Sequence, residues 1–403
     1  MSANEGVFSL KKNDSAKFNR REWLIANANY IMRSLNAILY DLEISIRAAL
    51  QRNANSKSCS RTSETKDLFL CLVDHFEPQV GKAEKPLARK RLEDWIERYP
   101  KIAERHTDAD GRIPAHSFFY PWDEYDEWEF EKLQELCKAG FGEIEVHLHH
   151  RDDTEETLKA KFEEALETFS RNGALSFWPD GKIAWAFIHG NWALDNSRAE
   201  HGRNYCGVNS EIRLLREMGC YADFTFPAWN QTAQPRMTNQ IYYATDDPGT
   251  PKSPDFGVPA EAGRIGEGDL LLIQGPLVPY FERGSGKPRP AVDDGDIASY
   301  RRYDPARLDR WVQSGIHIKG RPDRIFVKLH SHGAADANRE AMLGKDLEQL
   351  FTDAETRYND GERFRLHYVT ARELFNVIKA TEAESVCSIA AARDWILKKR
   401  GSV

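Results

Sequence analysis

DLFLCLVDHFEP, residues 67–78, decides how this chain is to be read. Its apolar run, Leu68 to Val73, is too short for a membrane span and is rich in residues that favour extended backbone. Such a run reads as a strand buried on both faces, the signature of a parallel sheet. The same cadence returns in AHSFFYP (115–121), EIEVHLHH (143–150), KIAWAFIHG (182–190), YADFTFP (221–227), DLLLIQG (269–275) and RIFVKLH (324–330). Between these runs lie amphipathic stretches such as LARKRLEDWIERYPKIAERH, EWEFEKLQELCKAG, TEETLKAKFEEALETFSRNG and NSEIRLLREMG. The last three end in Gly where a helix should stop. Strands alternating with helices predict parallel strands joined by right-handed crossovers. Seven of them suit a barrel or a doubly wound sheet, and periodicity alone does not order them.

The remainder of the chain bounds its class. Its 403 residues carry a net charge of −7 and include 10 Trp, 14 Tyr and 20 Phe, enough for a real core. An isoelectric point near 6.0 argues against a broad basic face for nucleic acid. Residues 1–20 have no apolar core of a secretory signal, and the interrupted apolar runs predict no transmembrane segment. Six scattered cysteines without a CxxC pair read as reduced thiols. The expectation is a soluble, cytoplasmic protein.

Residues 1–66 read as a helical extension and a polar linker. A helix is predicted over 20–52, with a seam of Leu24, Ala28, Ile31, Leu35, Ile38, Leu42 and Ala49 that serves its own domain first and a homo-oligomer second. NANSKSCSRTSETK (53–66) suits the linker. Residues 67–380 form the α/β domain, and 381–403 a helical tail. The stretch 227–290 holds 10 of the 18 prolines and reads as a loop excursion, about 228–290, around the sixth strand. As a lid it would offer Trp229, Tyr242, Tyr243 and Tyr280 to a substrate.

The histidines carry the chemistry. Of 12 in the chain, seven stand at or just beyond strand ends: His75, His147, His149, His150, His189, His330 and His332. Sites of α/β proteins form at the carboxyl ends of strands. Imidazoles gathered there from separate strands are what a metal hydrolase needs, because neutral histidine ligates metals and exchanges protons near neutrality. In EVHLHHRDD, His147 and His149 share a strand face and His150 can turn inward from the loop. VDHFEP supplies Asp74 at the end of an apolar strand, His75 as a ligand candidate, and Glu77 in reserve. KLHSHG offers His330 and His332, one for acid–base work and one in support. IHGNWALDNS places His189, Asn191 and Trp192 together, as sugar-binding loops do, and FFYPWDEYDEW adds Trp122.

Over about residues 67–335 these landmarks resemble the polysaccharide deacetylase superfamily, metal-dependent carbohydrate esterases on a distorted (β/α)7 barrel. LVDH stands where that family has an acidic pair, HSFFYP where it has a "TFF" strand, GFGEIEVHLHH where it has its two-histidine metal motif, and KLHSHG where its last strand ends in the general acid. The pair here is Asp-His, the motif histidines are spaced differently, and IHGNW replaces an Arg-Pro motif. The resemblance implies a divalent metal, Zn²⁺ first, held by His75 and two of His147, His149 and His150. It implies Asp74 as catalytic base and His330 as general acid, with removal of an acyl group from an amino sugar. Two alternatives stand beside it. A glycoside hydrolase would use Asp74 with Asp195 or Asp223. A non-catalytic glycan-binding protein would keep Trp122 and Trp192 without a metal.

Overall fold

A computed structural model describes residues 20–198, 204–282 and 287–399, with side chains from residue 35 onward. Two compact units are distinguished, 1–42 and 43–403. The strands are β1 (Lys66–His75), β2 (His116–Pro121), β3 (Gly142–Leu148), β4 (Ser176–Phe177), β5 (Ile183–His189), β6 (Cys220–Asp223), β7 (Ile241–Ala244), β8 (Gly257–Pro259), β9 (Leu270–Ile273), β10 (Val278–Glu282), β11 (Arg289–Asp293), β12 (Arg324–Ser331) and β13 (Phe364–Tyr368). The helices are α1 (Arg20–Cys59), α2 (Lys85–Ala103), α3 (Glu127–Leu136), α4 (Glu155–Arg171), α5 (Glu211–Glu217), α6 (Pro305–Gln313), α7 (Arg339–Met342), α8 (Lys345–Tyr358), α9 (Ala371–Glu382) and α10 (Ile389–Ala392).

Every strand read from the sequence forms. β12, β1, β2, β3, β5, β6 and β9 lie side by side in that order, each neighbour parallel to the next. The result is an α/β fold on a large, mostly parallel sheet. β13 takes the lower half of the β1 edge that β2 takes near its end, pairing at 66–70 while β2 pairs at 73–75. The glycines at 140, 173 and 219 that close α3, α4 and α5 all have positive φ (100°, 81° and 93°), a conformation that disfavours residues with a Cβ.

The pleat divides the core in two. Leu68, Leu70 and Leu72 of β1 face a helix-side core with Leu92, Trp95, Leu133, Phe162 and Ile212. Phe69, Cys71 and Val73 face an inner core, which α9 fills with Leu374, Phe375, Val377 and Ile378. Arg372 at the start of α9 meets Glu143 of β3 at 2.8 Å, and the buried Arg393 meets Asp108 at 2.8 Å. Residues 389–397 thus belong to the domain, whose expected boundary at 380 does not appear.

Lys328 points inward from β12, wholly buried, and its ammonium donates to the carbonyls of Phe224 (2.8 Å) and Phe226 (2.6 Å). These bonds tie β12 to the chain leaving β6; among the described residues no ladder joins β12 to β9. Burial pushes the Lys328 pKa from 10.5 down to about 7. Above 7 the folded protein has released this proton while the unfolded chain keeps it to 10.5. Stability therefore rises with pH across that window and is lost as pH falls back toward 7. Lys328→Met should abolish that rise, which urea titrations at the two ends of the window would measure.

Two expectations need correction. α1 runs through the expected linker to Cys59, because Asn55 anchors it by donating to Asn239 O (3.1 Å) and Ser314 O (3.0 Å). Among its described side chains the buried ones are Ile44, Ala48, Asn55 and Cys59, off the predicted seam, whose members Leu35, Ile38 and Leu42 are exposed; the side chains of Leu24, Ala28 and Ile31 lie outside the described ones. The proline-rich stretch is also more regular than a lid. β7 runs antiparallel to β9 and carries β8, extending the sheet. Its tyrosines belong to the fold: Tyr242 is fully buried, Tyr243 donates to Glu382 (2.9 Å), and Tyr280 lies under the Arg310 guanidinium.

Candidate metal centre

At the carboxyl ends of the strands the alternation of side chains sorts the histidines. His75 follows Phe69, Cys71 and Val73 on the inner face, and His147 follows Glu143 and Glu145 on that face of β3. The rings of His75 and His147 stand 4.8 Å apart, those of His75 and His332 4.5 Å, and those of His147 and His149 4.7 Å. Glu77 is their hub. One of its oxygens lies 3.0 Å from Nε2 of His147 and 3.0 Å from Nε2 of His149, and the other 3.5 Å from Nδ1 of His332. Ligand atoms of His75, Glu77 and His147 fall within 4.8 Å of one another, all buried.

The bonding of His147 exposes what this group lacks. Nδ1 lies 2.9 Å from the carbonyl of Ile188, which only accepts, so Nδ1 carries the ring proton. Nε2 of the neutral ring then turns a lone pair toward the Glu77 carboxylate. Only a proton or a cation between them relieves that contact. Burial, against the pull of Glu77, holds the His147 pKa below its ordinary value, so a proton is poorly retained. His75 is held well below as well, by burial and then by His332 and His147, and its buried Nδ1 has no partner. Burial would raise the Glu77 pKa, but the His147, His149 and His332 imidazoles around its carboxylate hold it well below. A neutral imidazole pair beside an ionised carboxylate is a donor set suited to a divalent ion. Backbone anchoring of Nδ1, as in His147, is the usual support of a ligating histidine.

His149 and His332 stand at the rim, with side chains 29% and 27% exposed to solvent. Asp123 holds His149 through Nδ1 at 3.1 Å. Although burial opposes it, the Asp123 and Glu77 carboxylates push the His149 pKa up to about 10. Trp192 packs 5.5 Å from the ring of His75 and 5.7 Å from that of His332. It adopts a left-handed φ of 54°, a strain often found where a side chain is held for a purpose.

Other expected residues fall elsewhere. Asp74 does not face the cluster: it alternates with His75, on the helix side, and is fully buried. One of its oxygens lies 3.1 Å from Nε2 of His116 and the other accepts from Gly333 N at 2.7 Å, so the expected base stands here as a latch between strand and turn. His150 does not turn inward. It sits on the helix side between Asp153 (3.1 Å) and Glu211 (3.0 Å). His189 follows Trp185 and Phe187 on that same face of β5 and is fully buried, so it does not touch a substrate. Asn191 is engaged with the carbonyl of His150 (2.7 Å). Trp122 packs 5.3 Å from Tyr125 and 6.2 Å from Phe169, in the helix-side core. His330 does face inward, one layer below His332; burial lowers its pKa to about 3 and its Nδ1 has no partner.

The centrality of Glu77 was legible only as a reserve role, from its position two residues after His75. Asp123 carried no distinct sequence signal, being one of several acids in an aromatic stretch. The pairing of Asp74 with Asp195 or Asp223 is not realised at the cluster either. Asp223 is bound to the Thr225 hydroxyl (2.7 Å), and Asp195 receives Ser253 N (2.8 Å).

No protein-family profile matches the sequence, and no curated protein matches it. Among solved structures, the chain is similar to a GH57 branching enzyme from the hyperthermophilic archaeon Thermococcus kodakaraensis, in complex with glucose. The identity is 13% and the TM-score 0.28, over 52% of this chain and 47% of the other, so the chain spans about half of that enzyme's length. Among the described residues, no helix is long and apolar enough to cross a membrane.

Proposed function

We propose that the chain is a metal-dependent hydrolase, related to the polysaccharide deacetylases and built on the barrel that their resemblance implies, which removes an acyl group from an amino sugar. The observation that carries this reading is the His147 ring, fixed by a backbone carbonyl so that its free nitrogen meets a buried carboxylate with His75 alongside. His75, His147 and Glu77 would hold the ion, Zn²⁺ being the first candidate. When bound, such an ion supplies a water activated at neutral pH and polarises the acyl carbonyl. His149 and His332, at the rim, are placed to move protons to and from the reacting group. Asp123 orients His149 for that task. Trp192 offers a flat apolar face against which a sugar ring can lie.

The test is to assay purified, zinc-loaded protein on N-acetylglucosamine oligosaccharides for acetate and for new reducing ends. Acetate release, lost in Glu77→Gln, supports the reading. New reducing ends without acetate would favour a glycosidase, and a metal-free protein that binds but does not turn over the sugars would favour the non-catalytic alternative. In the active enzyme, Trp192→Ala is expected to raise KM roughly tenfold with little change in kcat, as for loss of an aromatic contact. Steady-state kinetics check it.

A further inference from the structure

Behind the rim, on the helix side of the sheet, lies a second group that the proposed reaction does not use. His150, His189, Cys206 and Glu211 are all buried, and their ligand atoms fall within 4.8 Å of one another. They come from four places: the turn after β3, the end of β5, the loop that follows it, and the first residue of α5. Nδ1 of His150 is held by Asp153 at 3.1 Å, and Asp153 is itself fixed by Lys161 (2.7 Å) and Thr157 (2.7 Å). Nε2 of His150 faces Glu211 at 3.0 Å. The other Glu211 oxygen accepts from Asp195 N (2.6 Å), and Val208 N donates to the Cys206 sulfur (3.4 Å). Backbone N–H groups thus already bond the carboxylate and the sulfur, the two groups that must be anionic in a metal site.

The independent sign is His189. Its ring is wholly buried and its Nε2 has no hydrogen-bond partner; the nearest Glu211 oxygen is 4.0 Å away. An orphaned buried ring nitrogen aimed at a carboxylate, a thiol and a second imidazole is costly unless something sits among them.

We propose that His150, His189, Cys206 and Glu211 form a second, structural divalent-metal site of the zinc type. Four protein ligands drawn from imidazole, thiolate and carboxylate make a closed zinc shell, and the carboxylate behind His150 is the expected outer support. Binding releases the Cys206 thiol proton and any proton on Nε2 of His150 to solvent. Ligation through Nε2 requires His189 to carry its proton on Nδ1, so the backbone N–H of Asn191, which donates there at 3.1 Å, must give up that bond when the ion binds. The site staples the segment bearing Trp192 to α5, and it stands whether or not the rim cluster hydrolyses anything.

Cobalt tests this, because a thiolate is present here and absent at the rim. The full-length protein, stripped and reloaded with Co²⁺, should show a thiolate-to-cobalt charge-transfer band in the near ultraviolet. That band and one metal equivalent per chain should vanish in Cys206→Ser, while both persist in the rim variant His147→Ala. Melting of the wild type should fall on chelation and recover with Zn²⁺. A cobalt-loaded wild type without the thiolate band overturns the site, as does a band undiminished in Cys206→Ser. If Cys206→Ser does not accumulate as folded protein, the wild-type spectrum decides alone: the band supports the site and its absence overturns it, leaving a metal-free ion pair.

Discussion

The His147→Ala protein is expected to fold, to bind the rim metal at least about a hundredfold more weakly, and to lose hydrolysis with it. Both nitrogens of His147 are committed, one to Ile188 O and one toward Glu77. Alanine removes the imidazole and leaves the Glu77 carboxylate facing His75 across a gap. Elemental analysis against free-zinc buffers measures the affinity, and acetate release measures the activity. His150→Ala is expected to leave the rim ion in place, since that ring lies on the other side of the sheet. Full rim occupancy in His147→Ala would remove the residue from the ligand set, and loss of the rim ion in His150→Ala would mean that the two groups are not separate.

Asp74→Ala is expected to cost about 3–5 kcal/mol of stability, the range for stripping one partner from a buried charged contact. Both carboxylate oxygens are engaged, one with His116 and one with the Gly333 amide, and Trp95 donates to Gly333 O at 3.1 Å. The carboxylate thereby pins the turn that presents His332. Asp74→Asn, which can still accept from Gly333, should lose much less. Urea unfolding of the two variants gives the difference, and the rim ion should remain in both. A stable alanine variant with intact metal and no turnover would return Asp74 to the role of base.

How far the site could be read depended on pattern. In EIEVHLHH the alternation of polar 143, 145 and 147 with apolar 144, 146 and 148 separates the two faces of the strand, and the structure keeps that division. LFLCLV has no such alternation, because both of its faces are buried, so nothing in it says whether Asp74 or His75 turns inward. One residue of parity exchanged a base for a latch. His150 lies just past the strand end, where the pleat no longer dictates direction, and the pull of Asp153 and Glu211 decides it. Cys206 and Glu211 join His150 and His189 only through the folding of the β5–α5 connection, a non-local pairing that sequence spacing does not encode. The parallel order was legible in kind, while the insertion of β13 beneath β2 was not, since RLHYV differs little from any other short strand.

The doubly flanked β1 has a consequence for how the polypeptide is made. β2 follows soon but pairs only at 73–75, and the partners of the rest of β1 arrive late: β12 begins at Arg324 and β13 at Phe364. The inner core closes only with α9 and the buried Leu397. A ribosome-bound chain therefore carries LFLCL, residues 68–72, as an open, aggregation-prone strand while some 250 further residues are synthesised, and most of the contacts that define the fold span long sequence separations. The inner core is therefore expected to close as a unit, once the chain as far as Leu397 is available. Nascent chains arrested before residue 364 should be cleaved by protease throughout the sheet, with protection appearing together across β1, β12 and β13 once Leu397 has cleared the exit tunnel.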